Sequence, residues 1–158
     1  MRKPLFPIAI ITCLIIQADA HAQNELKLEK RYNIRGNTGI KGYDPVAYFV
    51  SDKAQKGSKK IQYTHDGVIY RFTSKSNKQL FIGDPEKYLP AYGGFCAHGV
   101  GHDGKRFNVN PKAFKIIDGK NYLFWKRFIY DAIKRWDKDE EHLKINVDRN
   151  WKKLLGKE

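Results

Sequence analysis

An α+β fold, with small antiparallel β-hairpins packed against helices and two helices at the C-terminal end, follows from three features of the chain. Two Asp-Gly pairs, Asp66-Gly67 and Asp118-Gly119, each separate runs of apolar residues. Beyond Lys126 the apolar spacing becomes helical, and there is neither an internal repeat nor a low-complexity tract. Aromatic residues make up 13% of the chain, enough to fill one packed core rather than a disordered segment.

The first 22 residues read as a signal peptide. Arg2 and Lys3 form a basic start, residues 5–16 are almost unbrokenly apolar, and two small-x-small sites follow at Ala18-Asp19-Ala20 and Ala20-His21-Ala22. The apolar run is too short to span a bilayer, and its order of segments is the secretory one. Cleavage before Gln23 is expected, giving an exported protein, periplasmic or secreted, with no transmembrane anchor after cleavage. Cys13 lies inside the apolar run and not at the start of a mature chain, so lipidation is not expected.

Residues 23–41 are polar and punctuated by Gly36 and Gly39, which predicts a flexible lead-in to a domain over residues 42–155. Val46-Ala47-Tyr48-Phe49 reads as a short apolar strand and residues 51–60 as a basic loop. Ile61, Tyr63 and His65 alternate before Asp66-Gly67, and Val68, Tyr70 and Phe72 after it. Asp-Gly supplies the positive φ that a tight hairpin turn needs. Ser74 is placed to cap a helix running to about Ile82, and Asp84-Pro85 to cap a further helical turn. Gly93-Gly94 breaks the chain ahead of Cys96, and Asn110-Pro111 predicts a turn. Phe114, Ile116 and Ile117 then lead into the second hairpin, whose return strand is Tyr122-Leu123-Phe124. Phe128, Ile129, Ala132, Ile133 and Trp136 form one helical stripe; Leu143, Val147, Trp151 and Leu154 form another. Asp137, Asp139, Glu140 and Glu141 lie where they would cap and solvate the start of the second helix.

Charge and cysteine content narrow the function. The formal net charge is +13, and loss of Arg2, Lys3 and Asp19 on export lowers it by only one unit. Such an excess suits polyanions, so an anionic envelope surface is a candidate partner, alongside plain solvated surface charge. No nucleic-acid motif is present, and nucleic acid is not expected as a partner. Cys96 is the only thiol after export, so no internal disulfide can form. It is a buried packing residue, a ligand, a reactive thiol or an intermolecular partner.

Conventional catalysis is poorly supported, since the chain has no nucleophile elbow, phosphate-cradling loop or dinucleotide fingerprint. Cys96, His98 and His102 lie within seven residues. They are soft or borderline donors suited to copper or zinc, and His65 could complete a four-ligand set. On a helix His98 and His102 share a face, although Gly99 and Gly101 weaken that helix. The leading expectation is an exported binding module holding a metal ion or a small ligand. Alternatives are a thiol-dependent redox or other enzyme using Cys96, and a polyanion-binding surface protein.

Several of these segments resemble one family. Gly42-Tyr43-Asp44-Pro45-Val46-Ala47-Tyr48-Phe49, the run from Asp84-Pro85-Glu86 through Tyr92-Gly93-Gly94-Phe95-Cys96-Ala97, Asp118-Gly119-Lys120 and Asn150-Trp151 look like an exported branch of the YHS-domain family. The resemblance covers residues 40–155. It implies a small module related to metal-binding zinc-finger-like units and linked to handling of copper or other heavy metals. Metal-competent members carry cysteines at positions that look like Ala47, Thr73 and Asn77 here. None of these can replace a thiolate on a soft metal. The family commonly places an aromatic at the position of His98, so the His pair is this chain's own.

Overall fold

The computed structural model describes Gln23 and residues 27–157; the expected signal peptide lies outside the described residues. Its organising unit is the first Asp-Gly hairpin, with strands β3 (Ser58–His65) and β4 (Val68–Phe72). Asp66 and Gly67 take φ of 49° and 78°, the left-handed pair that a tight primed turn demands. Alternation along β4 turns Val68, Tyr70 and Phe72 inward and leaves Ile69 and Arg71 half-buried. Phe81 closes over this face, with Tyr63, His65, Tyr70 and Phe72 all ring-packed against it.

The lead-in is more structured than its composition predicts. Strands β1 (Ile34–Arg35) and β2 (Thr38–Gly39) pair with each other, and β2 joins β4 in parallel, giving the order β1-β2-β4-β3. Asn33 fastens this segment to the centre of the fold: its backbone N–H donates to the Gly93 carbonyl (2.8 Å) and its side-chain amide to that of Gly94 (2.9 Å).

Residues 46–49 are also not the expected strand. They enter helix α1 (Ala47–Val50), because the buried Asp44 carboxylate accepts the N–H groups of Val46 (2.9 Å) and Ala47 (3.3 Å). Helices α2 (Lys75–Gly83) and α3 (Pro85–Tyr88) follow, capped as expected by Ser74 onto the Asn77 N–H and by Asp84 onto the Lys87 N–H. After α4 (Ala97–Asp103), the second Asp-Gly hairpin pairs β5 (Asn110–Ile117) with β6 (Lys120–Phe124). Asn110-Pro111 therefore begins a strand and not a turn. Asp118 and Gly119 again take positive φ.

Beyond β6 the expected continuous helix is replaced. Lys126 and Arg127 (β7) pair with Asp131 and Tyr130 (β8) in a third small hairpin, and helix α5 (Ala132–Trp136) begins only at Ala132. Asp131 stops the hairpin and caps the helix, accepting the Ile133 N–H at 3.1 Å. Helix α6 (Glu140–Leu154) matches the second predicted stripe: Leu143 and Val147 are buried, with Trp151 and Leu154 partly so. One buried cluster runs from Tyr32 to Val147 and takes in Trp136, which is fully buried.

Candidate ligand pocket

The chain reaches Cys96 through a tight turn in which Tyr92, Gly93 and Gly94 take φ of 54°, 61° and 80°. Glycine is required at position 93, where a Cβ would collide with the Arg31 carbonyl. Cys96 then bridges two neighbours, its N–H donating to the Phe107 carbonyl (3.0 Å) and its backbone pairing with Leu123 of β6.

Cys96 is the residue from which α4 springs, so its sulfur lies against the start of that helix. Sγ accepts the backbone N–H of Trp125 at 3.2 Å. The N–H groups of His98 and Gly99 face it without full capping geometry. Burial pushes the thiol above its ordinary pKa and these N–H groups pull it back, while the Asp103 charge adds to the rise. The net direction is upward, so the sulfur is a protonated thiol at neutral pH.

Helix α4 forms despite Gly99 and Gly101, and both glycines have a packing reason. A Cβ on Gly99 would run into the Phe107 ring, and one on Gly101 would lie 3.1 Å from the Leu143 carbonyl of α6. Gly101 thus lets α4 seat against α6, and Gly99 lets the Phe107 ring close on α4. Asn150 of α6 closes the contact, donating its side-chain amide to the Val100 (2.9 Å) and Gly101 (3.2 Å) carbonyls.

The helix does put His98 and His102 on one face, as their spacing predicts. The rings stack with centroids 5.2 Å apart and planes only 12° from parallel. A metal ion must lie in the plane of each imidazole it binds, so rings stacked this way do not direct their lone pairs at one ion. His98 is buried, and its pKa is lowered by desolvation and by the neighbouring His102 and Arg135, with Asp103 opposing. His102 is exposed and pairs with its neighbour Asp103, Nδ1 to Oδ1 at 3.0 Å.

Cys96 and His98 share a pocket of about 420 Å³, whose other walls are Gly99, Asp103, Phe107, Asn108, Trp125 and Tyr130. His102 is not part of its lining. His65, the last residue of β3, packs edge-on against Phe81 and takes no part either. Among the described residues, no three His, Cys, Asp or Glu side chains are grouped to hold a metal ion. Cys96 and His98 alone fall short of the four-ligand shell of a structural zinc, though thiolate with imidazole is chemically suited to copper(I).

Compared with family models, curated proteins and solved structures, the chain gives no match.

A second cluster gathers around the buried Asp44 carboxylate. Ala47 of α1, Thr73 of the bend between β4 and α2, and Asn77 of α2 meet at this carboxylate. Asp44 Oδ1 accepts the Val46 and Ala47 N–H groups. Oδ2 accepts the Thr73 N–H and hydroxyl (2.7 Å each) and the Asn77 side-chain amide (2.8 Å). Asp44 is completely buried. Hydrogen-bond donors, and no cation among the described residues, hold its charge.

The aromatic walls of the pocket and the role of Asp44 were not read from the sequence. Phe107, Trp125 and Tyr130 carry no shared motif, and only the fold brings them together. Asp44 did carry a signal: Asp followed by Pro is a helix-start signature, the same one that marked Asp84-Pro85.

Proposed function

We propose that this is an exported YHS-like module that binds a small organic ligand in the pocket between the start of α4 and the β7–β8 hairpin. The observation that carries the reading is the pocket itself. Its size is that of a small-molecule site. Phe107, Trp125 and Tyr130 offer ring faces to an apolar body, and Cys96, neutral His98, Asp103 and Asn108 offer a few polar groups to orient it. The meeting of Ala47 with Thr73 and Asn77 at Asp44 supports the YHS resemblance, since positions marked by that resemblance share one centre although Ala47 is far in sequence from the other two. In this chain hydrogen bonds to a carboxylate take the place of metal–thiolate bonds there.

The test is a titration of the purified protein with N-phenyl-1-naphthylamine, a neutral dye that the basic surface does not attract. The expected result is saturable binding that slows alkylation of Cys96 and weakens about tenfold in Tyr130→Ala, which removes one wall. Absence of saturable binding, or binding indifferent to Tyr130→Ala, would overturn the reading. Stoichiometric uptake of Cu(I) or Zn(II) that disappears in Cys96→Ser would replace it with a soft-metal site at Cys96 and His98. Turnover in a thiol-oxidoreductase or hydrolase screen that disappears in the same variant would replace it with an enzyme.

A further inference from the structure

We infer that the β7–β8 hairpin is a membrane-docking finger, which inserts Phe128 and Ile129 into a bilayer whose headgroups are anionic. The pairing of Arg127 with Tyr130 leaves these two residues alone at the tip. Phe128 is 89% exposed and Ile129 fully exposed, more than any other large apolar side chain among the described residues. Tight hairpin tips ordinarily carry Gly, Asn or Asp. Phe128 instead holds a φ of 49°, a backbone region that a bulky side chain disfavours. Folding gives no reason for an aromatic residue there: its ring covers no core, and asparagine would suit the turn better.

The surroundings of the tip select the partner. Arg127 lies over the Phe128 ring (5.0 Å) and Arg135 over the Tyr130 ring (4.6 Å). Neither guanidinium has a carboxylate partner among the described residues, and Lys134 adds a cation in the same last turn of α5 as Arg135. Lys126 is different, because it is paired with Asp131 across the hairpin (2.7 Å) and braces it. An apolar tip ringed by cations fits an anionic bilayer, with the tip among the acyl chains and the guanidinium groups at the phosphates. A second copy of this chain is a poor occupant, since two strongly basic molecules with like-charged fingers repel each other. Among the described residues no helix is long and apolar enough to cross a membrane. Trp125 and Tyr130 flank the finger and also line the pocket, so docking sets the pocket mouth near the headgroups. The docking proposal stands apart from the identity of any pocket ligand.

Co-sedimentation with vesicles tests it, using phosphatidylcholine alone and phosphatidylcholine mixed with phosphatidylglycerol. The wild type is expected to bind the mixed vesicles and to bind phosphatidylcholine much more weakly. Phe128→Asn with Ile129→Ser should weaken binding about tenfold or more without lowering the melting temperature, because both side chains are solvent-exposed. Arg127→Gln with Arg135→Gln should remove the preference for the anionic lipid. Phe128→Trp should show added emission that moves to the blue with vesicles and is quenched by lipids brominated in their acyl chains. Wild-type binding that is absent, equal on both vesicles, or unchanged in the tip variant would overturn the proposal. So would a dimer in solution that the tip variant dissolves.

Discussion

Cys96 shows how far a single side chain's neighbours decide its chemistry. Three backbone N–H groups near the sulfur would favour a thiolate, yet burial outweighs them and the thiol's pKa rises. Alkylation requires thiolate, so the native protein at neutral pH should react with iodoacetamide well below the rate of a free cysteine. The rate should climb about tenfold per pH unit and keep climbing beyond the pH at which a free thiol levels off. Measured rates for the native and urea-unfolded protein across that range check this, and fast native alkylation at neutral pH would show that burial does not dominate. Cys96 and His98 stood out in the sequence because thiol and imidazole are rare and close together. His102 stood beside them for the same reason, but on α4 the two rings take rotamers that stack them, centroids 5.2 Å apart, and they do not converge. The pocket walls were not legible, because they come from segments separated by about thirty residues and become neighbours only through the pairing of Cys96 with β6.

Among the elements, those whose local signals agree were readable from the sequence. The two Asp-Gly hairpins, the Ser74 and Asp84 caps and the stripe of α6 needed only turn chemistry and periodicity. Residues 46–49 and the stripe from Phe128 were misread where local and tertiary preferences compete. The apolar run of residues 46–49 suits a strand, but the Asp44 carboxylate captures its first N–H groups and starts a helix. The stripe from Phe128 to Trp136 has helical spacing, yet Asp131 delays the helix to Ala132 and the hairpin exposes Phe128 and Ile129. The Asp44 contacts also predict how α1, β4 and α2 are joined. Asp44→Ala leaves the buried Val46 and Ala47 N–H groups, and the part-buried Thr73 N–H, without their acceptor and should cost about 3 kcal/mol or more of unfolding free energy. Asp44→Asn should recover only part of the loss. Its amide has one acceptor oxygen where the carboxylate offers two, and its NH₂ group would face donors. Urea unfolding of both variants gives the comparison, and an Asn variant as stable as the wild type would show that the charge and second oxygen are dispensable.

For the molecule as a whole, the continuity of the buried cluster from Tyr32 to Val147 implies one cooperative unfolding transition. Its two C-terminal tryptophans should contribute to that transition unequally, although the sequence placed them alike on two apolar stripes. Trp136 is fully buried, with the Tyr122 and Phe124 rings each 5.6 Å away, so truncation empties a closed space in the core. Trp136→Ala should cost about 3–5 kcal/mol. Trp151 is only partly buried: it packs near Tyr92 (6.2 Å) and Phe95 (6.1 Å), while the Arg106 guanidinium covers its ring at 5.8 Å. Water already reaches one side of that site, and the long Arg106 side chain can settle into part of the vacated volume. Trp151→Ala should therefore cost about 1–2 kcal/mol, below the range for a closed core position. Chemical unfolding followed by far-ultraviolet circular dichroism and by fluorescence of the remaining tryptophans measures both values. Equal losses in the two variants would show that burial does not set their difference, and transitions that separate between the two probes would mean that α6 and the hairpin core do not unfold as one unit.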